Sequence, residues 1–394
     1  MVVKSIFKNT VLFIVFLTCS CQAQNNKLTL GIQQVDKYAP MLMNKSVGIV
    51  ANASSVIPNF KGNYVHLVDS LSHLNIRIKA VFAPEHGFRG TAENGAIIVD
   101  EVDEKTQLPI YSLHGSHFKP SAEQLTGIDV MVFDLQDVGL RFYTYISTLH
   151  YVMEACAEQN IPLIILDRPN PNAHYIDGPI LELEHQSFVG MHPVPIVYGM
   201  TIGEYAQMIN GEKWLKNKLS CDIKIVSIKN YTHQTRYELP LRPSPNLRSA
   251  KSINLYPSLC LFEGTDVSVG RGTDHPFEVF GSPNLSETLF NYSFMPVAQQ
   301  GATHPPHEGK LCYGRDLSDT EDLNYINLEW LIETYQDYKQ SGKSFFNNYF
   351  HKLAGTHRLR AAIEKGEAQQ DIKADWQEGL EKFKATRAHY LIYD

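Results

Sequence analysis

The sequence predicts an α/β protein: a Rossmann-like, doubly wound parallel sheet that carries a second, smaller α/β domain. Two patterns predict it. Short apolar runs recur without strict alternation, as strands buried on both faces require, and stretches with apolar residues at three- and four-residue spacing separate them. A third observation divides the chain. After Ser282 and Pro283 the pattern shifts to helical faces, which places a Rossmann-like domain at 25–282 and an auxiliary α/β domain at 283–394.

The first element is a leader. Lys4 and Lys8 precede the apolar run 10–17, which is too short to span a bilayer, and small residues follow it. Residues 1–21 therefore read as a secretory signal. Ser20 before Cys21 suggests a lipoprotein, with a lipid anchor to the membrane through Cys21 or Cys19; plain cleavage near Ala23 is the alternative. Either route puts the mature chain outside the cytoplasm, as a periplasmic or membrane-anchored protein.

The run 46–51 reads as a buried strand, and 66–74 as a helix with Leu67, Leu71 and Leu74 on one face. Strands are expected at 76–82, 109–113, 129–133 and 162–166, with a helical stripe of Leu149, Val152, Met153 and Cys156 between the last two. Thr201 and Glu204 form a capping-box pattern ahead of Tyr205, Ala206 and Ile209, and 222–228 supplies another strand. In the second domain, Leu328, Leu331, Ile332 and Tyr335 mark one helix, and Trp376, Leu380 and Phe383 another; a strand-like 390–393 closes the chain.

Composition narrows the function. The 394 residues are 43% hydrophobic and carry a formal net charge of −7, which argues against a general nucleic-acid binder. An anionic substrate remains open, since a few placed arginines suffice for one. Cys156, Cys221, Cys260 and Cys312 are scattered, with no CxxC pair. The pairs His114/His117 and His304/His307 lack a carboxylate at a diagnostic interval, so no metal is expected. P-loop, dinucleotide fingerprint and serine-hydrolase elbow are all missing, and no cofactor is expected.

Ligands of open parallel sheets bind beyond the carboxyl ends of the strands. Four successive strand ends here deliver polar groups: Asn52; Glu85, His86 and Arg89; Asp134, Gln136, Asp137, Arg141 and Tyr143; and Asp167, Arg168 and Asn170. Glycoside hydrolysis commonly uses two carboxyl groups flanking the bond. Glu85, behind a proline that fixes its loop, is the candidate acid, against a plain pairing with Arg89. Glu263, ahead of a loop rich in glycine that contains Arg271, is the candidate partner, against a simple turn. Asp134, Gln136, Asp137 and Tyr143 offer the acceptors and aromatic face that sugars favour. Arg141 either holds an anion or neutralises Asp137. Asp167, Arg168 and Asn170, bounded by prolines, read more readily as a rigid turn.

Residues 84–90 (PEHGFRG), 133–139 (FDLQDVG) with 141–145 (RFYTY), 166–171 (LDRPNP), 177–179, 198–204 (YGMTIGE), 243–246, 262–265 and 390–393 together resemble the NamZ-type exo-β-N-acetylmuramidases. The resemblance covers nearly everything after the leader. It implies a catalytic Rossmann-like domain, an auxiliary domain and a cleft between them. It also implies release of N-acetylmuramic acid from non-reducing ends of peptidoglycan-derived saccharides. Glu85 would be the acid and Glu263 its partner, with His86, Arg89, Asp134, Gln136, Arg141, Tyr143 and Arg271 around the sugar; Asn52, Asp137 and Asn170 are added as candidate binding residues by their strand-end positions. Muramic acid carries a lactyl carboxylate, for which Arg89, Arg141 and Arg271 are the available donors. A wall-sugar-binding lipoprotein without catalysis and an exo-β-N-acetylglucosaminidase are the alternatives.

Overall fold

The computed structural model describes residues 27–59, 62–89 and 100–394; the leader lies outside these residues. Nine strands occupy the first part: β1 (Ser46–Ala51), β2 (Val56–Pro58), β3 (Tyr64–His66), β4 (Arg77–Ala83), β5 (Glu101–Val102), β6 (Pro109–Ser112), β7 (Val130–Asp134), β8 (Leu163–Leu166) and β9 (Ile223–Val226). Seven of them form one sheet in the order β5-β6-β4-β1-β7-β8-β9, parallel except for β5, while β2 and β3 make a separate ribbon. The sheet is doubly wound as predicted, and the chain reverses its direction of winding between β1 and β7. That switch point is where such sheets open a crevice.

The apolar runs lack alternation because both faces are buried. In β7, Met131 and Phe133 enter the core shared with the helix Tyr145–Gln159, whereas Val130 and Val132 enter the opposite core with the helices Val35–Leu42 and Leu67–His73. The capping box at Thr201 forms as written: its side chain accepts from the Glu204 amide, and Glu204 returns the bond to the Thr201 amide.

In the second part, β10 (Val279–Ser282), β11 (Tyr292–Phe294) and β12 (Cys312–Asp316) form an antiparallel sheet ordered β10-β12-β11. Its helices include Glu329–Tyr338, Phe350–Ala354 and Gln377–Arg387, and their apolar faces join the same core as the helix Tyr145–Gln159. The closing segment corrects one expectation. Among the described residues, 390–393 pair with no strand; Tyr390 ends a 3-10 turn, and the residues after it staple the chain end to the Rossmann-like part. Tyr393 donates its hydroxyl to Asp167 at 2.6 Å, and the amides of Ile392 and Tyr393 reach Glu204 at 2.9 and 3.2 Å. Cys156, Cys221, Cys260 and Cys312 are free, buried thiols.

Candidate active site

The turn after β4 aims Glu85. His86 and Gly87 both have φ of 74°, a conformation uncommon for any residue but glycine, and the Gly87 amide closes the turn on the Pro84 carbonyl. Thr144, the residue ahead of the helix Tyr145–Gln159, hydrogen-bonds Glu85 Oε2 through its hydroxyl at 3.0 Å. His114, just past the end of β6, places Nε2 3.9 Å from Glu85 Oε1. Strand ends β4 and β6 and the loop after β7 thus meet at one carboxyl group.

Glu263 comes from the other direction. The helix Ala250–Leu259 tightens into a 3-10 turn, Cys260–Gly264, that presents it. A side chain at Gly264 would lie 2.4 Å from the Phe350 Cα, so only glycine lets the helix Phe350–Ala354 pack there and bring Tyr349 alongside. Arg271 sits between Gly270 and Gly272, both at positive φ. Its Nε donates to Glu263 Oε1 at 2.7 Å, and its guanidinium carbon lies 5.0 Å from the centroid of the Phe277 ring. Burial works against the Arg271 charge, but Glu263 outweighs it and raises the guanidinium pKa.

Glu85 and Glu263 line one cavity of about 260 Å³, with Arg271, His86, His114, Tyr143, Thr144 and Cys260. Phe142, Tyr145, Phe188, Tyr256, Phe277 and Tyr349 complete mostly aromatic walls. The Tyr349 phenol pKa is raised, by desolvation first and then by Cys260, Glu263 and Glu85, so both carboxyl groups act on one rim residue. A larger open trough, about 730 Å³, adjoins this cavity and shares His86 and Ser244 with it. Asn52, Ser54, Arg242, Arg248, Gln299 and Gln300 line the trough. A separate depression of about 250 Å³ around Asn172, Arg236 and Asp322 holds none of the predicted residues.

Six predicted residues lie elsewhere. Arg89 is paired with Asp103 at 2.8 Å and with Asp69 at 3.5 Å, and it stacks on Phe88. Asp134 is fully buried in a two-pronged pair with Arg168, at 2.7 and 2.9 Å. Gln136 donates to the carbonyls of Asp137 and Pro169, and Asn170 to that of Met200. Asp137 accepts from the Tyr198 hydroxyl and the Gly139 amide. Arg141, expected to hold an anion or to neutralise Asp137, does neither. Its guanidinium donates to the carbonyls of Pro179, Val194, Leu353 and Ala354, tying the two parts of the chain together, and burial pulls its pKa down to about 9. These residues are motif-forming because the frame needs them.

Asn52 and Tyr143 stand between the two groups. Each lines a cavity, yet Asn52 Nδ2 is held by the Tyr145 hydroxyl at 2.7 Å and the Tyr143 hydroxyl donates to the Pro243 carbonyl at 2.8 Å. Sequence reasoning missed His114, Thr144, Tyr256, Cys260, Tyr349, Arg242 and Arg248. His114 was within reach: the strand-end rule, applied to the run 109–113, points at it. The others lie in helices, at their starts or in loops, where no such rule operates.

Two acidic side chains converging from separate parts of an α/β frame on an aromatic-walled cavity, with an open trough beside it, fit the class of glycoside hydrolases. The comparisons give its family. Residues 47–251 match the N-terminal domain of exo-β-N-acetylmuramidase NamZ and residues 254–393 match its C-terminal domain. The chain is 38% identical over 391 residues to the peptidoglycan β-N-acetylmuramidase NamZ of Bacillus subtilis (strain 168), covering 94% of this chain and 92% of that one. Two solved structures of DUF1343 family proteins from Bacteroides fragilis NCTC 9343 share the fold. One has a TM-score of 0.86 at 45% identity, covering 93% of this chain and 99% of that one. The other has a TM-score of 0.75 at 26% identity, covering 94% and 100%. The chain belongs to the NamZ exo-β-N-acetylmuramidase family.

Proposed function

We propose that the protein is an exo-acting β-N-acetylmuramidase that releases N-acetylmuramic acid from the non-reducing ends of peptidoglycan fragments. The observation that carries this reading is the meeting of Glu85 and Glu263 in one small cavity beside an open trough. A cavity of about 260 Å³ falls below the size that drug-sized ligands need, which suits one terminal sugar; the trough then takes the rest of the saccharide. Glu85 acts as general acid. Thr144 holds its Oε2 in place, and the acid proton passes to the glycosidic oxygen as the bond to C1 breaks. Water supplies the hydroxyl that C1 gains and returns a proton to the site. Glu263, its charge held by Arg271, is the second carboxyl of the pair. Of the three arginines first considered for the lactyl carboxylate, Arg271 is the one at the cavity, and Arg242 and Arg248 flank the trough.

A disaccharide of N-acetylmuramic acid β-linked to N-acetylglucosamine tests the reading. Free N-acetylmuramic acid should appear, and the disaccharide with the two sugars in reverse order should stay intact. Binding without release would instead make the protein a wall-sugar receptor. The leader supports an extracytoplasmic site of action with lipid attachment at Cys21 or Cys19. Replacing both cysteines by alanine should move the protein from the membrane to the soluble fraction; an unchanged membrane fraction would refute the anchor.

A further inference from the structure

We propose that Glu184, His185 and His357 form a binding site for zinc or a similar divalent transition metal, built where the two parts of the chain meet. Their ligand atoms all lie within 4.8 Å of one another. The 3-10 turn Leu183–His185 supplies two of them and the residue ahead of the helix Arg358–Lys365 supplies the third. The Glu182 amide bonds the Gly355 carbonyl at 2.8 Å, so backbone pairing already holds the two segments together.

Several features point to a cation rather than a chance cluster. His185 is 8% exposed, and its buried Nε2 has no hydrogen-bond partner. A nitrogen left without a hydrogen bond at that depth is costly, and a cation between it and a nearby carboxylate would satisfy both. Glu184 Oε1 lies 3.3 Å from that nitrogen. Zinc bonds of about 2.0–2.2 Å in a tetrahedron put neighbouring ligands roughly 3.3–3.5 Å apart, so this pair is already at coordination spacing. The His357 ring stands 4.4 Å from that of His185, and the His351 ring 4.1 Å from that of His357. Glu182 is already engaged by Arg358 at 2.7 Å; Glu184 is the carboxylate at hand. Two histidines and one carboxylate leave a fourth position for water or for His351. The sequence gives no hint of this, because residues 184–185 and 351–357 become neighbours only in the fold.

The location gives the site a purpose. Phe188 and Val189 line the Glu85 cavity just after His185, and Tyr349 and Leu353 line it on either side of His351. A metal here would clamp two walls of the cavity without touching the sugar.

The test uses the full mature chain, untagged and stripped with chelator, titrated calorimetrically with zinc alone. One zinc should bind with a dissociation constant on the order of 10 µM or tighter, and the unfolding temperature should rise with zinc. His357→Ala and Glu184→Gln alter exposed side chains, so both should fold; each should weaken binding at least about tenfold and remove the thermal shift. Cobalt should give the visible absorption of a tetrahedral site in the parent and lose it in His357→Ala. Failure to bind one equivalent saturably, or parent-like binding by both variants, would overturn the site and leave the glycosidase reading untouched.

Discussion

The sheet edge beyond β4 and β6 and the edge beyond β7 and β8 look alike in sequence and differ in chemistry. Each places a carboxylate at or just past the end of an apolar strand. Beyond β4, Glu85 takes a hydroxyl from Thr144, faces His114 and opens onto a cavity. Beyond β7 and β8 the carboxylates are saturated. Asp134 takes both prongs of Arg168, and Asp167 accepts from the Thr201 and Tyr393 hydroxyls and the Arg168 and Gly203 amides. Position at a strand end therefore admits a carboxylate to candidacy, and whether it faces a cavity or a closed set of donors decides whether it is machinery or frame. A catalytic group needs an oxygen that a substrate can reach; a frame group needs none.

Substitution should split the two edges cleanly. Glu85→Gln keeps an acceptor for Thr144 but cannot deliver a proton. Release of N-acetylmuramic acid should fall by about 10²–10⁴-fold, while the urea unfolding curve stays near that of the parent. Asp134→Asn should do the reverse. It strands the Arg168 guanidinium in the core without an anion and should cost about 3–5 kcal/mol of stability, with the turnover of the molecules that remain folded close to that of the parent. An Asp134→Asn protein as stable as the parent, or a Glu85→Gln protein that still cuts, would erase the distinction.

The same contrast explains what was legible in the sequence. Fold class and strand positions were, because a strand buried on both faces must be an apolar run: 46–51 was expected and Ser46–Ala51 is observed, as is Leu163–Leu166 within the expected 162–166. Glu85 and Glu263 were legible as candidates from residue type and loop context. Partner assignment was not. Nothing in the run 133–145 reveals that Arg141 spends itself on four carbonyls, two of them in the helix Phe350–Ala354, some 212 residues along the chain. The closing segment misled for a similar reason. Tyr393 and its neighbours carry the apolar, aromatic character of a strand, but that character serves to dock the chain end over Asp167.

A finer comparison lies inside the frame, between two buried aspartates whose pKa values are both pushed up to about 6. Burial is the main cause in each, and at Asp167 the nearby Glu204 charge adds to it. The folded value stands above the unfolded one, near 3.8, so between about pH 4 and 6 the folded state binds the extra proton. Stability from each group is thus greatest in acid and is lost as the pH rises through 6, by up to about 3 kcal/mol. Buried His66, His150 and His192, whose pKa values burial lowers, act with the opposite sign in the upper part of that window, so a parent curve alone cannot separate them. Asp137→Asn can. Its side-chain oxygen still accepts from Tyr198 and Gly139, and its amide takes the place of Oδ1, which has no hydrogen-bond partner. Relative to the parent, the variant should gain stability from about pH 4 to pH 6 and level off above about pH 7, while Asp167 keeps its own share of the pH dependence. Urea titrations at unit pH steps measure that difference, and a flat difference curve would mean that Asp137 holds its charge in the core at no cost.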